Sequence, residues 1–157
     1  MFIVIGLVGV IIGIILGEKL IGSERKKAYA KKELEVKKFR TNYYILLQWL
    51  NKAENNRSIG EYLASKGYKK IAIYGMGELG ELLLLKLRDT DIEVPYAIDK
   101  NAENIGVDVV IKTPNDDLPD VDAVIVTTVL WYWELRRMLK EKLDCDILSL
   151  EDIVYEM

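Results

Sequence analysis

Residues 70–80 read KIAIYGMGELG, and the fold turns on how that stretch is read. The apolar run 70–74 has the length and side-chain type of a strand buried on both faces. Gly75-Met76-Gly77-Glu78-Leu79-Gly80 follows without a gap, and the apolar spacing of 79–87 then predicts a helix. A G-x-G-x-x-G spacing carries weight only in this strand-to-helix setting. Gly75 allows the tight turn, Gly77 lets backbone N–H groups approach a diphosphate, and Gly80 lets the helix lie close on the strand. The start of the helix offers unpaired N–H donors to the anion.

Downstream, the pattern alternates. Strands are predicted over 94–98, with Pro95 tolerable only near the start, and over 107–111, 123–127 and 146–148. A helix is predicted over 130–142, a loop at 117–119, and a short last helix capped by Ser149 and running through Tyr155. Upstream, Ser58-Ile59-Gly60-Glu61 has the spacing of a capping box, opening a short helix to Lys66 that Gly67 ends. Strands alternating with helices imply an α/β fold: a Rossmann-like parallel five-stranded sheet in the order 3-2-1-4-5.

Asp99 ends the second predicted strand, 24 residues after Gly75, where an acid can accept hydrogen bonds from ribose hydroxyls. An acid there repels a 2′-phosphate and favours NAD over NADP, although Lys100 beside it weakens that preference. Thr127 and Thr128 end the fourth strand beside the expected switch point; either can line the cleft, and Thr128 can instead cap the next helix. The candidate cofactor-binding set is Gly75, Met76, Gly77, Glu78, Leu79, Gly80, Asp99, Lys100, Thr127 and Thr128. Glu78 and Glu81 oppose it, because they complement the helix dipole themselves and repel an anion.

Residues 1–17 carry no charged side chain, and 1–22 at about 1.5 Å per residue reach roughly the thickness of a hydrocarbon core. The expectation is a transmembrane anchor over 1–22. Arg25, Lys26, Lys27, Lys31 and Lys32 follow it and none precedes it, so the positive-inside rule places the N-terminus outside and the remaining chain in the cytoplasm. A cleaved signal peptide is the rival, but it lacks a basic leader, and Ala28-Tyr29-Ala30 lies within a charged stretch. Gly9, Gly13 and Gly17 share one helix face, a possible contact for a second copy. Residues 23–57 read as a basic juxtamembrane and amphipathic helix, and 58–157 as the nucleotide-binding domain. Tyr29, Val36, Tyr43 and Leu50 are seven apart, with Phe39 and Leu46 between them. This is a short heptad-like stripe, interrupted by Lys32, that suits either a dimerising stalk or packing on the domain; Leu47 and Trp49 widen the face and favour packing.

From Glu18 to Arg40 there are nine Lys/Arg and four Asp/Glu, and from Thr41 onward 13 and 21. The basic collar suits an anionic membrane surface. The acidic body argues against nucleic acid as a ligand. With no histidine and one cysteine, a His-based triad, a His-ligated metal, a cysteine zinc site and an intrachain disulfide are excluded. Cys145 lies between Asp144 and Asp146, which disfavour a thiolate. Asp116, Asp117, Asp120 and Asp122 read as a solvated acidic loop, and at least one of Trp131 and Trp133 as core. Tyr62 and Lys66 have the Tyr-x-x-x-Lys spacing of short-chain dehydrogenases, but precede the glycine loop where that pair should follow the later strands; Tyr96 and Lys100 have it on a strand, where i and i+4 do not share a face.

The run KKIAIYGMGELGELLLLKL (69–87) with YAIDKN (96–101), VIVTT (124–128) and ILSLEDI (147–153) resembles the NAD(P)-binding Rossmann-like core of bacterial polysaccharide-biosynthesis proteins. The membrane-bound nucleotide-sugar dehydratases and epimerases carry a similar domain. The resemblance implies that Gly75, Gly77, Gly80 and Asp99 hold NAD(H) or, alternatively, a nucleotide sugar. Nothing in the chain resembles the catalytic half of those enzymes. The expected function is an accessory or sensory nucleotide-binding module at the cytoplasmic membrane, partnered with a polysaccharide-biosynthesis enzyme. The alternatives are a small oxidoreductase or nucleotide-sugar-modifying subunit completed by a partner, and a ligand-free scaffold.

Overall fold

The computed structural model describes residues 2–102 and 106–157, with side chains from Gly22 onward. The elements in chain order are helices α1 (Phe2–Glu54) and α2 (Ile59–Ser65), strand β1 (Ile71–Tyr74), helix α3 (Glu78–Leu87), strands β2 (Tyr96–Ile98), β3 (Val110–Lys112) and β4 (Ala123–Val126), a 3-10 turn (Val129–Trp131), helix α4 (Tyr132–Lys140), strand β5 (Asp146–Ser149) and helix α5 (Leu150–Glu156). The chain divides into two compact units, Met1–Thr41 and Asn42–Met157. The described part of the first belongs to α1; the second contains the sheet.

The sheet has the order β3-β2-β1-β4-β5, and every pairing is parallel, as the alternation of strand and helix predicts. β1 and β4 lie next to each other in register from Ile71–Ala123 to Tyr74–Val126. All four residues of each are buried, which is why both read as unbroken apolar runs. Ile71 and Ile73 pack into one layer with Ile45 and Trp49 of α1, Ile59 and Leu63 of α2, Leu79, Leu83 and Leu87 of α3, and Ile153 and Val154 of α5. Ala72 and Tyr74 face the other layer, with Tyr96, Val121 and Leu135 and Leu139 of α4. Leu79, Leu83 and Leu87 recur every fourth residue, so one stripe of α3 is buried; a leucine so placed contributes about 2 kcal/mol.

Several local expectations are corrected. The third strand forms at Val110–Lys112, not 107–111: an edge strand is positioned by its only neighbour, and β2 pairs from Tyr96–Val110 to Ile98–Lys112. Pro95 falls just before β2, where its missing N–H is harmless. The helix expected over 130–142 begins as the 3-10 turn and is α-helical only over Tyr132–Lys140. Ser58 and Ser149 sit at N-cap positions, but neither side chain makes a capping bond. Gly67 does end α2 as expected. Its φ of +89° and the Tyr68 N–H to Leu63 C=O (3.1 Å) and Gly67 N–H to Ala64 C=O (2.9 Å) bonds form a Schellman motif.

The transmembrane anchor is also corrected. Among the described residues, no helix is long and apolar enough to cross a membrane. Residues 1–21 and the Gly9, Gly13 and Gly17 face lie outside the residues whose side chains are described. The single-pass placement in the cytoplasmic membrane, with the N-terminus outside, falls with the anchor.

Candidate functional site

β1 ends at Tyr74, and the chain leaves it through Gly75 at φ +94°, a conformation that disfavours any side chain. Gly75 N–H donates to the Ile98 carbonyl (2.8 Å), tying the turn to β2. Thr127 ties it to β4: its hydroxyl donates to the Gly75 carbonyl (2.6 Å), and its N–H to the Tyr74 carbonyl (2.9 Å). A Cβ on Gly75 would lie 2.8 Å from the Thr127 hydroxyl and 2.9 Å from that of Thr128. A Cβ on Gly80 would lie 2.1 Å from the Gly75 carbonyl oxygen, so α3 can approach the turn only with glycine there.

Gly77 is different. It is the N-cap of α3, it is exposed, its φ of −84° suits any residue, and none of the described residues lies within 4 Å of an added Cβ. No side chain caps the helix there. Neither backbone conformation nor packing of the described residues calls for a glycine at 77.

Asp99 follows β2 and reaches the same corner. Its Oδ2 accepts the Met76 N–H (2.8 Å) and its Oδ1 the Asn101 N–H (2.8 Å). One loop amide is therefore already occupied by the chain's own carboxylate. Two buried hydroxyls at this end of the sheet, those of Tyr74 and Thr128, have no hydrogen-bond partner among the described residues. Burial, and secondarily the Asp99 carboxylate, push the Tyr74 phenol upward, so it stays a neutral donor.

The structure thus brings Gly75, Met76, Gly77, Gly80, Asp99, Thr127 and Thr128 to one corner. Thr127 braces the turn, and Thr128 stands at the N-cap of the 3-10 turn without making a capping bond. Met76 and Leu79 send their side chains into the core, leaving only backbone to the site. Glu78 and Lys100 are exposed. Tyr74 escaped the sequence reading; a tyrosine at the last position of a doubly buried strand was the available signal. The link from Asp99 to Met76 left no trace in the spacing. A cavity of about 500 Å3 runs along the outer face of α3, lined by Glu78, Glu81, Leu82, Leu85, Arg88 and Val107 among others.

Other candidate chemistry is accounted for structurally. The Tyr62 hydroxyl donates to Glu156, and its pKa is pushed up to about 12, first by burial and then by that carboxylate; a catalytic tyrosine needs the opposite shift. Lys66 lies 5.2 Å over the Tyr62 ring as a cation–π contact. Tyr96 donates to the Pro119 carbonyl (2.7 Å) and is also pushed to about 12, mainly by burial. Asp122 accepts the Lys69 and Lys70 N–H groups (2.8 and 2.7 Å), and Asp116 the Thr113 N–H (2.6 Å); these bonds hold both carboxyls below their ordinary range. Among the described residues, no three acids or cysteines are placed to hold a metal. Burial, ahead of the neighbouring charges, pushes the Cys145 thiol up, which makes it a poor nucleophile. Trp131 and Trp133 are 38% and 70% exposed, so neither belongs to the core as expected.

The fold and this corner define the class: a parallel α/β protein, helices on both faces, with a glycine-rich turn at the carboxyl end of its central strand. No family model matches the chain, no curated protein matches it, and no solved structure matches it.

Proposed function

We propose that the protein binds a nucleotide carrying a diphosphate, NAD(H) or alternatively a nucleotide sugar, at the corner between β1 and α3. Gly77 carries the proposal. Gly75 and Gly80 are each required by the chain's own contacts, whereas the glycine at 77 leaves bare backbone facing solvent at an uncapped helix start. That is the surface a diphosphate needs. The corner also sits between β1 and β4, where the strand order reverses and ligands of such sheets bind. Asp99 keeps lone pairs beyond its two amide bonds, so a ribose hydroxyl can donate to it while Met76 remains held. At the same end of the sheet, the buried Thr128 and Tyr74 hydroxyls have no partner among the described residues.

The resemblance of 69–87 and 96–101 to polysaccharide-biosynthesis domains supports a binding or sensory module that serves a partner enzyme in that chemistry. A second reading, a scaffold without a ligand, is favoured by one observation: Asp99 and Thr127 already satisfy the Met76 amide and the Gly75 carbonyl. Titration calorimetry of the full chain with NAD, NADP, UDP-sugars and CoA separates the two. Binding of one of them, weakened at least tenfold by Gly77→Val and by Asp99→Ala, supports the site. No heat with any of the four supports the scaffold.

A further inference from the structure

Helix α1 carries two apolar faces, and only one is used by the domain. Ile45 and Trp49 are 0% and 5% exposed in the core, and one turn on, Lys52 Nζ donates to the Tyr155 carbonyl (3.0 Å) and to that of Met157. On the other face Tyr43, Leu46 and Leu50 are 50%, 39% and 59% exposed. The same sevenfold spacing continues back through Phe39, Val36 and Tyr29, all more than half exposed. At 3.6 residues per turn, the buried and exposed faces of residues 43–50 point roughly 110° apart, so a second helix can lie on the exposed face there without displacing the docked one.

We infer that the occupant of this stripe is the same stripe of a second copy, in a parallel two-stranded coiled coil. With Tyr29, Val36, Tyr43 and Leu50 at the first seam position, Lys32, Phe39 and Leu46 fall at the second. Glu35 and Arg40 then flank the seam five residues apart, the spacing at which flanking residues of parallel, in-register helices face each other. The charges are opposite, so symmetry gives two Glu35–Arg40 pairs across the seam. Lys32 within the seam weakens the coil but fixes its register, because a shifted pairing buries the ammonium against an apolar neighbour.

Cross-linking of the full chain tests this in a Cys145→Ser background. Under mild oxidation Val36→Cys, in the seam, forms a covalent dimer at least ten times more efficiently than Lys38→Cys, on the outer side of the same helix. Adding Glu35→Arg lowers the Val36→Cys yield, and adding Arg40→Glu to that restores it. Equal yields at positions 36 and 38, no dimer from Val36→Cys, or no restoration by the double charge reversal overturns the proposal.

Discussion

The two ends of β1 are built from similar parts and finished differently. At its amino end the Asp122 carboxylate takes the Lys69 and Lys70 amides, the Asp122 N–H returns to the Lys70 carbonyl (2.7 Å), and nearby the Tyr68 hydroxyl donates to Asp146 (2.8 Å). At its carboxyl end Asp99 takes the Met76 amide, yet among the described residues the Tyr74 and Thr128 hydroxyls have no partner, no side chain caps α3, and nothing packs on Gly77. Buried polar groups are almost always paired, since leaving one unpaired costs about 1–3 kcal/mol. Among the described residues, one end has its polar groups paired, and the other leaves two buried hydroxyls without a partner.

Substitutions around the carboxyl end sharpen that contrast. The largest expected effect is from Gly80→Ala, whose methyl would meet the Gly75 carbonyl oxygen, a backbone atom that cannot rotate away. A loss on the order of 3 kcal/mol in urea unfolding is expected. Gly75→Ala should lose about 2 kcal/mol, from the left-handed backbone and from a methyl that crowds the Thr127 hydroxyl bracing the turn. Tyr74→Phe should move stability the other way, gaining up to about 1 kcal/mol by removing an unpaired buried hydroxyl, while weakening any nucleotide that pairs with it. A destabilised Tyr74→Phe would mean the hydroxyl already has a partner, and the contrast between the two ends would shrink.

The amino end is probed by acid. The Asp122 carboxyl is held below its ordinary 3.8, so its contribution is present above that pH and is lost as pH falls through the lower, folded value. Below pH 3.8, the melting temperature of Asp122→Asn should therefore fall less steeply than that of the parent. Part of the slope remains, because Asp116 is lowered by the same kind of bond to Thr113. Identical slopes would show that the Asp122 bonds add nothing to the fold.

What could be read in advance followed from periodicity and from backbone necessity. The apolar runs at 70–74 and 123–127 declared buried strands, which form over Ile71–Tyr74 and Ala123–Val126, and the alternation with helices carried the sheet order. Gly75 and Gly80 announced a turn and a close approach, and both are there. Rotamers were not legible: Ser58 and Ser149 stand where caps belong without capping, since spacing places a hydroxyl but does not aim it. Register at the sheet edge was not legible either, because the start of β3 is decided by β2, not by its own residues. At least one of Trp131 and Trp133 reads as core, yet Trp131 ends the 3-10 turn and Trp133 lies in the first turn of α4, both outside the core. At the candidate site the glycine spacing foretold the turn and the close helix, but the Asp99–Met76 bond and the Tyr74 hydroxyl without a described partner depend on how three strands converge in space.

Gly77→Val decides the central claim, because none of the described residues touches that position and its backbone suits any residue. Its unfolding free energy should change by no more than about 1 kcal/mol, the difference between N-cap residues. In calorimetry the parent chain should bind one of NAD, NADP, a UDP-sugar or CoA, and the folded Gly77→Val chain should bind it at least tenfold more weakly. Equal affinity in parent and variant would contradict the account, since a diphosphate seated on that backbone cannot ignore an isopropyl group placed in its path.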